Sequence, residues 1–142
     1  MTTRNLDAAT DNKSNVGTNE IELTVIAPMY NEADNIATTI SMIEETLSDF
    51  DKPWELLLVD DGSDDNTFEI ARRFETKMPN LRVLHYPLNC GRGKALRTGF
   101  NQARGKYIVT TDFDLSYSPH HIIQIYEQLT DPIQMNDVVL GS

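Results

Sequence analysis

WELLLVDDGSDDNT, residues 54–67, decides the reading of this chain. Leu56, Leu57, Leu58 and Val59 are apolar without a break. A strand with one wet face alternates apolar and polar residues. A short continuous run fits a parallel strand buried on both faces. The run ends in Asp60 and Asp61, and Gly62 then permits a tight turn. Adjacent acids at a buried strand end are costly without partners. Capping of a following helix by Ser63 or Asp64 accounts for residues 63–65 but not for Asp60 or Asp61.

The same grammar extends in both directions. IELTVIAP (21–28) reads as a buried strand closed by Pro28. Residues 33–50 carry Ile36, Ile40, Ile43 and Leu47 at helical spacing, with Asp34 in the first turn. Residues 63–78 form a helix with Phe68, Ala71 and Phe74 inward. A third strand covers Leu81–Tyr86, and a helix over 93–104 turns Ala95, Leu96, Gly99, Phe100 and Ala103 inward. Tyr107–Thr111 is a fourth strand. Pro119 opens a helix carrying Ile122, Ile123, Tyr126 and Leu129, because proline suits a first turn. DVVLGS (137–142) begins a fifth strand. Strand and helix alternate, so the class is α/β with a mainly parallel sheet and helices on both faces. Residues 1–20, polar and nearly free of large apolar side chains, read as a disordered tail before a domain at 21–142.

Bulk composition narrows the function. The chain has 142 residues and a net charge of −10, from 22 acids against 12 bases. One domain is expected, and a general nucleic-acid binder is excluded for want of a basic face. The single cysteine, Cys90, rules out a disulfide framework. No secretory apolar segment and no spanning run is present, so membrane contact is expected only through parts outside these residues. The expected location is the cytoplasm, or the cytoplasmic face of a membrane for a longer protein.

Ligands of such sheets bind beyond the carboxyl ends of the strands, near the switch in strand order. Here those ends read APMYNE, DDGSDDNT and TDFD. Asp112 and Asp114 stand two apart, so an extended chain points both carboxylates one way. Hard oxygen donors suit Mg²⁺ or Mn²⁺ bound together with a diphosphate. Solvated loop acids are the alternative. PMYNE is either a turn or a surface on which Tyr30 stacks a base while Asn31 or Glu32 bonds its edge. NCGRGKALRTG (89–99) fits neither the Walker A spacing nor the dinucleotide fingerprint. It is still a cationic helix start, from which Arg92, Lys94 and Arg97 could approach a diphosphate. His85, His120 and His121 form no metal set, and Cys90 reads as a passive thiol.

Together, TVIAPMYNEADNI, LLVDDGSDDNT, LNCGRGKALRTGF and TDFDLSYSP resemble the family 2 glycosyltransferases of the GT-A fold. Within them the chain is most similar to the polyprenyl-phosphate or dolichyl-phosphate mannosyl- and glucosyltransferases. The resemblance implies that Pro28, Tyr30, Glu32, Val59 and Asp61 line the base of a nucleotide sugar, a UDP- or GDP-hexose, with Asp60 in the same turn. Arg92 and Lys94 would face its diphosphate. Asp112 and Asp114 match the family's metal and diphosphate motif. Ser116 stands where some members have glutamine. Phe113 departs from the small residue usual between the acids and is expected to narrow the site.

The implied reaction is inverting transfer of a hexose to a lipid phosphate. Family members continue beyond the Gly-Ser at 141–142, so these residues are expected to be a donor-binding part that does not turn over alone. Transfer to a saccharide hydroxyl, a non-catalytic nucleotide module and a signalling receiver domain are the alternatives. A receiver, however, places its acid pair after the first strand.

Overall fold

The apolar run at 54–61 is strand β2 (Trp54–Asp61), and Glu55 through Asp61 are all buried. The computed structural model describes residues 20–113 and 118–133. Residues 1–19 of the expected tail at 1–20, Asp114, Ser116 and the expected strand at 137–142 lie outside the described residues. The elements are β1 (Leu23–Met29), α1 (Ile36–Thr46), β2, α2 (Thr67–Lys77), β3 (Leu81–Tyr86), α3 (Arg92–Gln102), β4 (Tyr107–Thr110) and α4 (His120–Thr130). Their order along the chain is the alternation expected.

Every strand pairing is parallel, and the sheet order is β3-β2-β1-β4. Two unequal layers of side chains pack on it. Val25, Ala27, Met29, Leu56 and Leu58 meet Ile36, Ile40 and Ile43 of α1, Ala71 of α2, and Ile122 and Tyr126 of α4. Ile26, Leu57 and Val59 meet Ala95 of α3 on the other face. Helices therefore cover both faces, three against one.

The element ends differ from the expectations in instructive ways. β1 runs through Pro28 to Met29 rather than ending at it. Thr111 N–H donates to the Ile26 carbonyl (2.9 Å), so the backbone groups of Ile26 face β4. Those of Pro28, two residues on, face the same side. Pairing with β4 stops at Ile26 and Thr110, so the N–H that proline lacks has no strand to serve. The ladder opens there. α1 begins at Ile36, which leaves Asp34 before the helix rather than in its first turn. α2 begins at Thr67, so neither Ser63 nor Asp64 caps it. Asp65 instead takes the Thr67 N–H at 3.0 Å. Phe100 is 49% exposed, not inward. The buried residues of α3 are Ala95 and Gly99, and Phe100 sits about 100° further round the helix.

A buried carboxylate on β2 ties β1 and β3 to the turn after α3. Glu55 accepts from Thr24 Oγ1 (2.7 Å), Arg82 Nε (3.0 Å) and the Arg104 N–H (2.8 Å). Burial works to raise its pKa, but these donors outweigh it and hold the carboxyl below its ordinary 4.5. A depressed native pKa stabilises the fold above the unfolded value and loses that contribution as pH falls through the native one. Glu55→Gln is therefore expected to melt lower than wild type at pH 7. The gap should close as melts are repeated from pH 5 down to pH 3. A gap independent of pH would assign the loss to packing instead.

Candidate nucleotide-sugar site

The chain lays β2 and β3 to one side of β1 and then crosses to place β4 on the other. Order thus reverses between β1 and β4, and that is where a doubly wound sheet opens a ligand crevice. Pro28, where the ladder parts, and Asp112, just past β4, flank it. The acids of β2 stand on the other side of β1, with Met29 in register with Asp60.

The loops after β1 and β2 are laced into one surface. Asn31 N–H donates to Ser63 Oγ (2.9 Å), Glu32 N–H to Thr67 Oγ1 (2.8 Å), and Asp64 N–H to Asn31 Oδ1 (2.8 Å). Asn31 holds a positive φ of 54°, which asparagine tolerates better than most residues. Tyr30 lies on this surface, 42% exposed, with its hydroxyl 3.3 Å from Asp64 Oδ2. The Asp64 charge is the main cause raising the Tyr30 pKa. An exposed aromatic ring on a braced loop is a platform on which a base can stack. Glu32 accepts from Asn35 Nδ2 (3.1 Å) beside it. Pro28 and Val59, in register with each other, are buried beneath.

The two β2 acids have separate partners on opposite faces. Asp60 is fully buried and accepts from Ser63 Oγ, with His85 Nδ1 2.8 Å away. The His85 ring stacks on Phe68 at 4.0 Å. The Asp61 carboxylate accepts four hydrogen bonds. Tyr86 Oη (2.6 Å) and Cys90 N–H (2.9 Å) reach Oδ1, while Asn89 Nδ2 (2.8 Å) and Gly91 N–H (2.9 Å) reach Oδ2. Burial first, then the bond to Asp61, pushes the Tyr86 pKa up. Asp61 is thus a clamp on the loop that starts α3.

That loop delivers two cations. Arg92, the first residue of α3, places Nη1 2.7 Å from Asp112 Oδ1. Lys94 lies 4.4 Å above the centre of the Tyr86 ring and 3.8 Å from Cys90 Sγ. Phe113 does not narrow this site. Its ring is 3% exposed and belongs to the core with residues of α1 and α4, while the Asp112 carboxylate is turned to Arg92. Its carbonyl accepts from Thr39 Oγ1 (3.0 Å).

Of the residues expected at the site, the structure gathers Asp60, Asp61, Arg92, Lys94 and Asp112 at the carboxyl edge of the sheet, beside the braced loop of Tyr30 and Glu32. His85, Tyr86 and Asn89 were not expected there. Their signal was faint: β3 ends in register with the two acids, pairing Asp60 with His85 and Asp61 with Tyr86.

The parallel sheet, its switch point and these acids define an α/β protein with a candidate ligand crevice at the carboxyl edge of its strands. The chain belongs to glycosyl transferase family 2, whose model matches residues 24–141. It is 36% identical over 111 residues to glycosyltransferase AglD of Haloferax volcanii, covering 77% of this chain and 18% of that protein. It is 36% identical over 100 residues to the dolichyl-phosphate beta-glucosyltransferase ALG5C of Trichomonas vaginalis, covering 67% and 30%. A similar solved structure is the mannosyltransferase PcManGT from Pyrobaculum calidifontis in complex with GDP-Man and Mn²⁺. It superposes with a TM-score of 0.66 at 30% identity, covering 91% of this chain and 36% of that one. The chain therefore spans about a third or less of the length of these proteins. Family membership and strand order set the receiver-domain alternative aside. Among the described residues no helix is long and apolar enough to cross a membrane.

Proposed function

We propose that this chain carries the donor-binding part of an enzyme that transfers a hexose, with inversion, from a nucleoside diphosphate to a polyprenyl or dolichyl phosphate. The observation that carries the reading is Asp112. Its half-exposed carboxylate stands at the strand-order switch, across β1 from the acids of β2 and paired with the first residue of α3. Tyr30 stacks the base, and Glu32 offers a carboxylate to its edge. Pro28 and Val59 form the floor, and Asp60 and Asp61 brace the loops that frame the base and the diphosphate. Arg92 and Lys94, at the start of α3, face the diphosphate, where the helix N-terminus also favours an anion.

Among the described residues no three His, Cys, Asp or Glu side chains cluster as a cation site, so a divalent cation here would take Asp112 and draw its further ligands from the diphosphate and water. Asp112 is a hard oxygen donor, and a guanidinium already rests on it. Asp112, with Asp114 outside the described residues, would hold Mg²⁺ or Mn²⁺. A bound cation supplies charge compensation for the leaving diphosphate. The acceptor needs little help. A phosphate monoester has a second pKa of about 6, so its oxygen is already anionic at neutral pH. That oxygen attacks the anomeric carbon, the bond to the diphosphate breaks, and its electron pair leaves on the diphosphate. No side chain has to remove a proton, as transfer to a sugar hydroxyl would require.

Calorimetric titration of UDP, GDP, UDP-glucose and GDP-mannose, with and without Mn²⁺, tests the reading. Binding that depends on the cation is expected. Asp112→Asn should weaken it by about tenfold to a hundredfold, the worth of a lost charge-assisted contact. The preferred nucleotide would name the donor. A folded chain that binds no nucleotide would refute the assignment. Binding without transfer to a lipid phosphate, even in a longer chain carrying this domain, would leave a nucleotide-binding module.

A further inference from the structure

The Arg92–Asp112 pair occupies the spot that the donor-site reading assigns to a divalent cation. Two observations make it more than a surface contact. First, Arg92 follows directly on a fixed loop. The Cys90 and Gly91 N–H groups are both held by Asp61, itself 4% exposed, so the backbone that carries Arg92 is anchored to the sheet. Second, Asp112 stands two residues past the end of β4, and its carboxylate meets the first residue of α3 at 2.7 Å. The guanidinium and the carboxylate are presented to each other by the chain leaving β4 and by the clamped start of α3.

We propose that Arg92 is an exchangeable counter-ion: it pairs with Asp112 in the free protein and passes to the donor phosphates when a divalent cation takes its place. This rests on the donor-site reading above. Without nucleotide, Arg92 competes with the cation for one carboxylate oxygen and weakens cation binding. With a nucleoside diphosphate present, Arg92 gains two anionic partners and the competition ends. A planar fork suits phosphate oxygens as well as carboxylate, so the same side chain serves both states. Cation and nucleotide should therefore bind with positive coupling, each improving the affinity for the other. Arg92 acts as a positioning residue for Asp112 before it acts as a phosphate ligand.

The test measures Mn²⁺ binding to the chain alone by electron paramagnetic resonance, then UDP and GDP binding at saturating Mn²⁺. Arg92→Ala is expected to tighten Mn²⁺ alone by about two- to fivefold, the range of an exposed ion pair. The same substitution should weaken the nucleotide by about tenfold or more. Arg92→Lys, which keeps the charge and loses the fork, should fall between on both readouts. Lys77→Ala removes an equal charge at the end of α2 and controls for the general field. Unchanged or weaker Mn²⁺ binding in Arg92→Ala overturns the proposal, as does an equal gain in Lys77→Ala or a wild-type chain that binds no Mn²⁺. Wild-type chain that binds Mn²⁺, tightened in Arg92→Ala, but binds no nucleotide would sink the donor-site reading while keeping the competition at Asp112. Arg92 is more than half exposed, so its replacement should leave the fold intact, as circular dichroism would verify.

Discussion

Gly62→Ala is expected to destabilise the fold by about 3 kcal/mol or more, from two separate costs. Gly62 holds φ at +67°, in the left-handed region that alanine adopts only under strain. A Cβ there would also lie 2.4 Å from the Asn89 nitrogen and 2.4 Å from the Leu88 carbonyl carbon. Both are backbone atoms, so no side chain can swing aside. The loop after β3 would have to move, and the same loop makes three of the four bonds to the Asp61 carboxylate. Gly91→Ala separates the two costs. Its φ is +96°, but an added Cβ meets nothing within 4 Å. It should therefore lose about 1–3 kcal/mol from strain alone. Urea denaturation of both variants checks the difference. Equal losses would mean that the loop yields freely and that the contact at Gly62 is unimportant.

That contact marks where sequence reading stops. The α/β class was legible because Leu56–Val59 admit no wet face, and because Ile36, Ile40 and Ile43 recur at helical spacing. Both patterns record burial, which acts through the solvent and needs no knowledge of a particular neighbour. The end of β2 was legible for a related reason, since Asp60 and Asp61 after an apolar run violate burial unless something receives them. What receives them was not legible. Asp61 meets Asn89, 28 residues away, and Arg92 meets Asp112, 20 residues away. Such pairs follow from strand order, and no local pattern states that order. The caps failed for the same reason. Ser63 and Asp64 have the composition of helix caps, but the loop after β1 lies close enough to take them first. Phe100 misled by periodicity, because α3, with no other helix on its face among the described residues, buries only the narrow stripe of Ala95 and Gly99.

Asp61→Ala should be the most damaging exchange of a single carboxylate, costing about 4 kcal/mol. Removing one partner from a buried charged network leaves the others desolvated and unmatched. Here Tyr86 Oη, Asn89 Nδ2 and the N–H groups of Cys90 and Gly91 would lose their acceptor together. Asp61→Asn should cost roughly half as much. Its one oxygen can still accept on one edge, while its amide N–H groups must face donors on the other. The Tyr86 hydroxyl can turn to accept from that amide, but a backbone N–H cannot. Binding should follow stability. Once the loop is released, Arg92 loses its fixed approach to Asp112, and the start of α3 no longer presents its N–H groups to a phosphate. The measurement is chemical denaturation of both variants, with hydrogen exchange at Cys90 and Gly91. Those two amides should exchange faster in Asp61→Asn than in wild type while the β1 amides stay protected. If they keep full protection in Asp61→Ala, the four bonds do not hold the loop, and its order must come from packing of Tyr86 beneath Lys94.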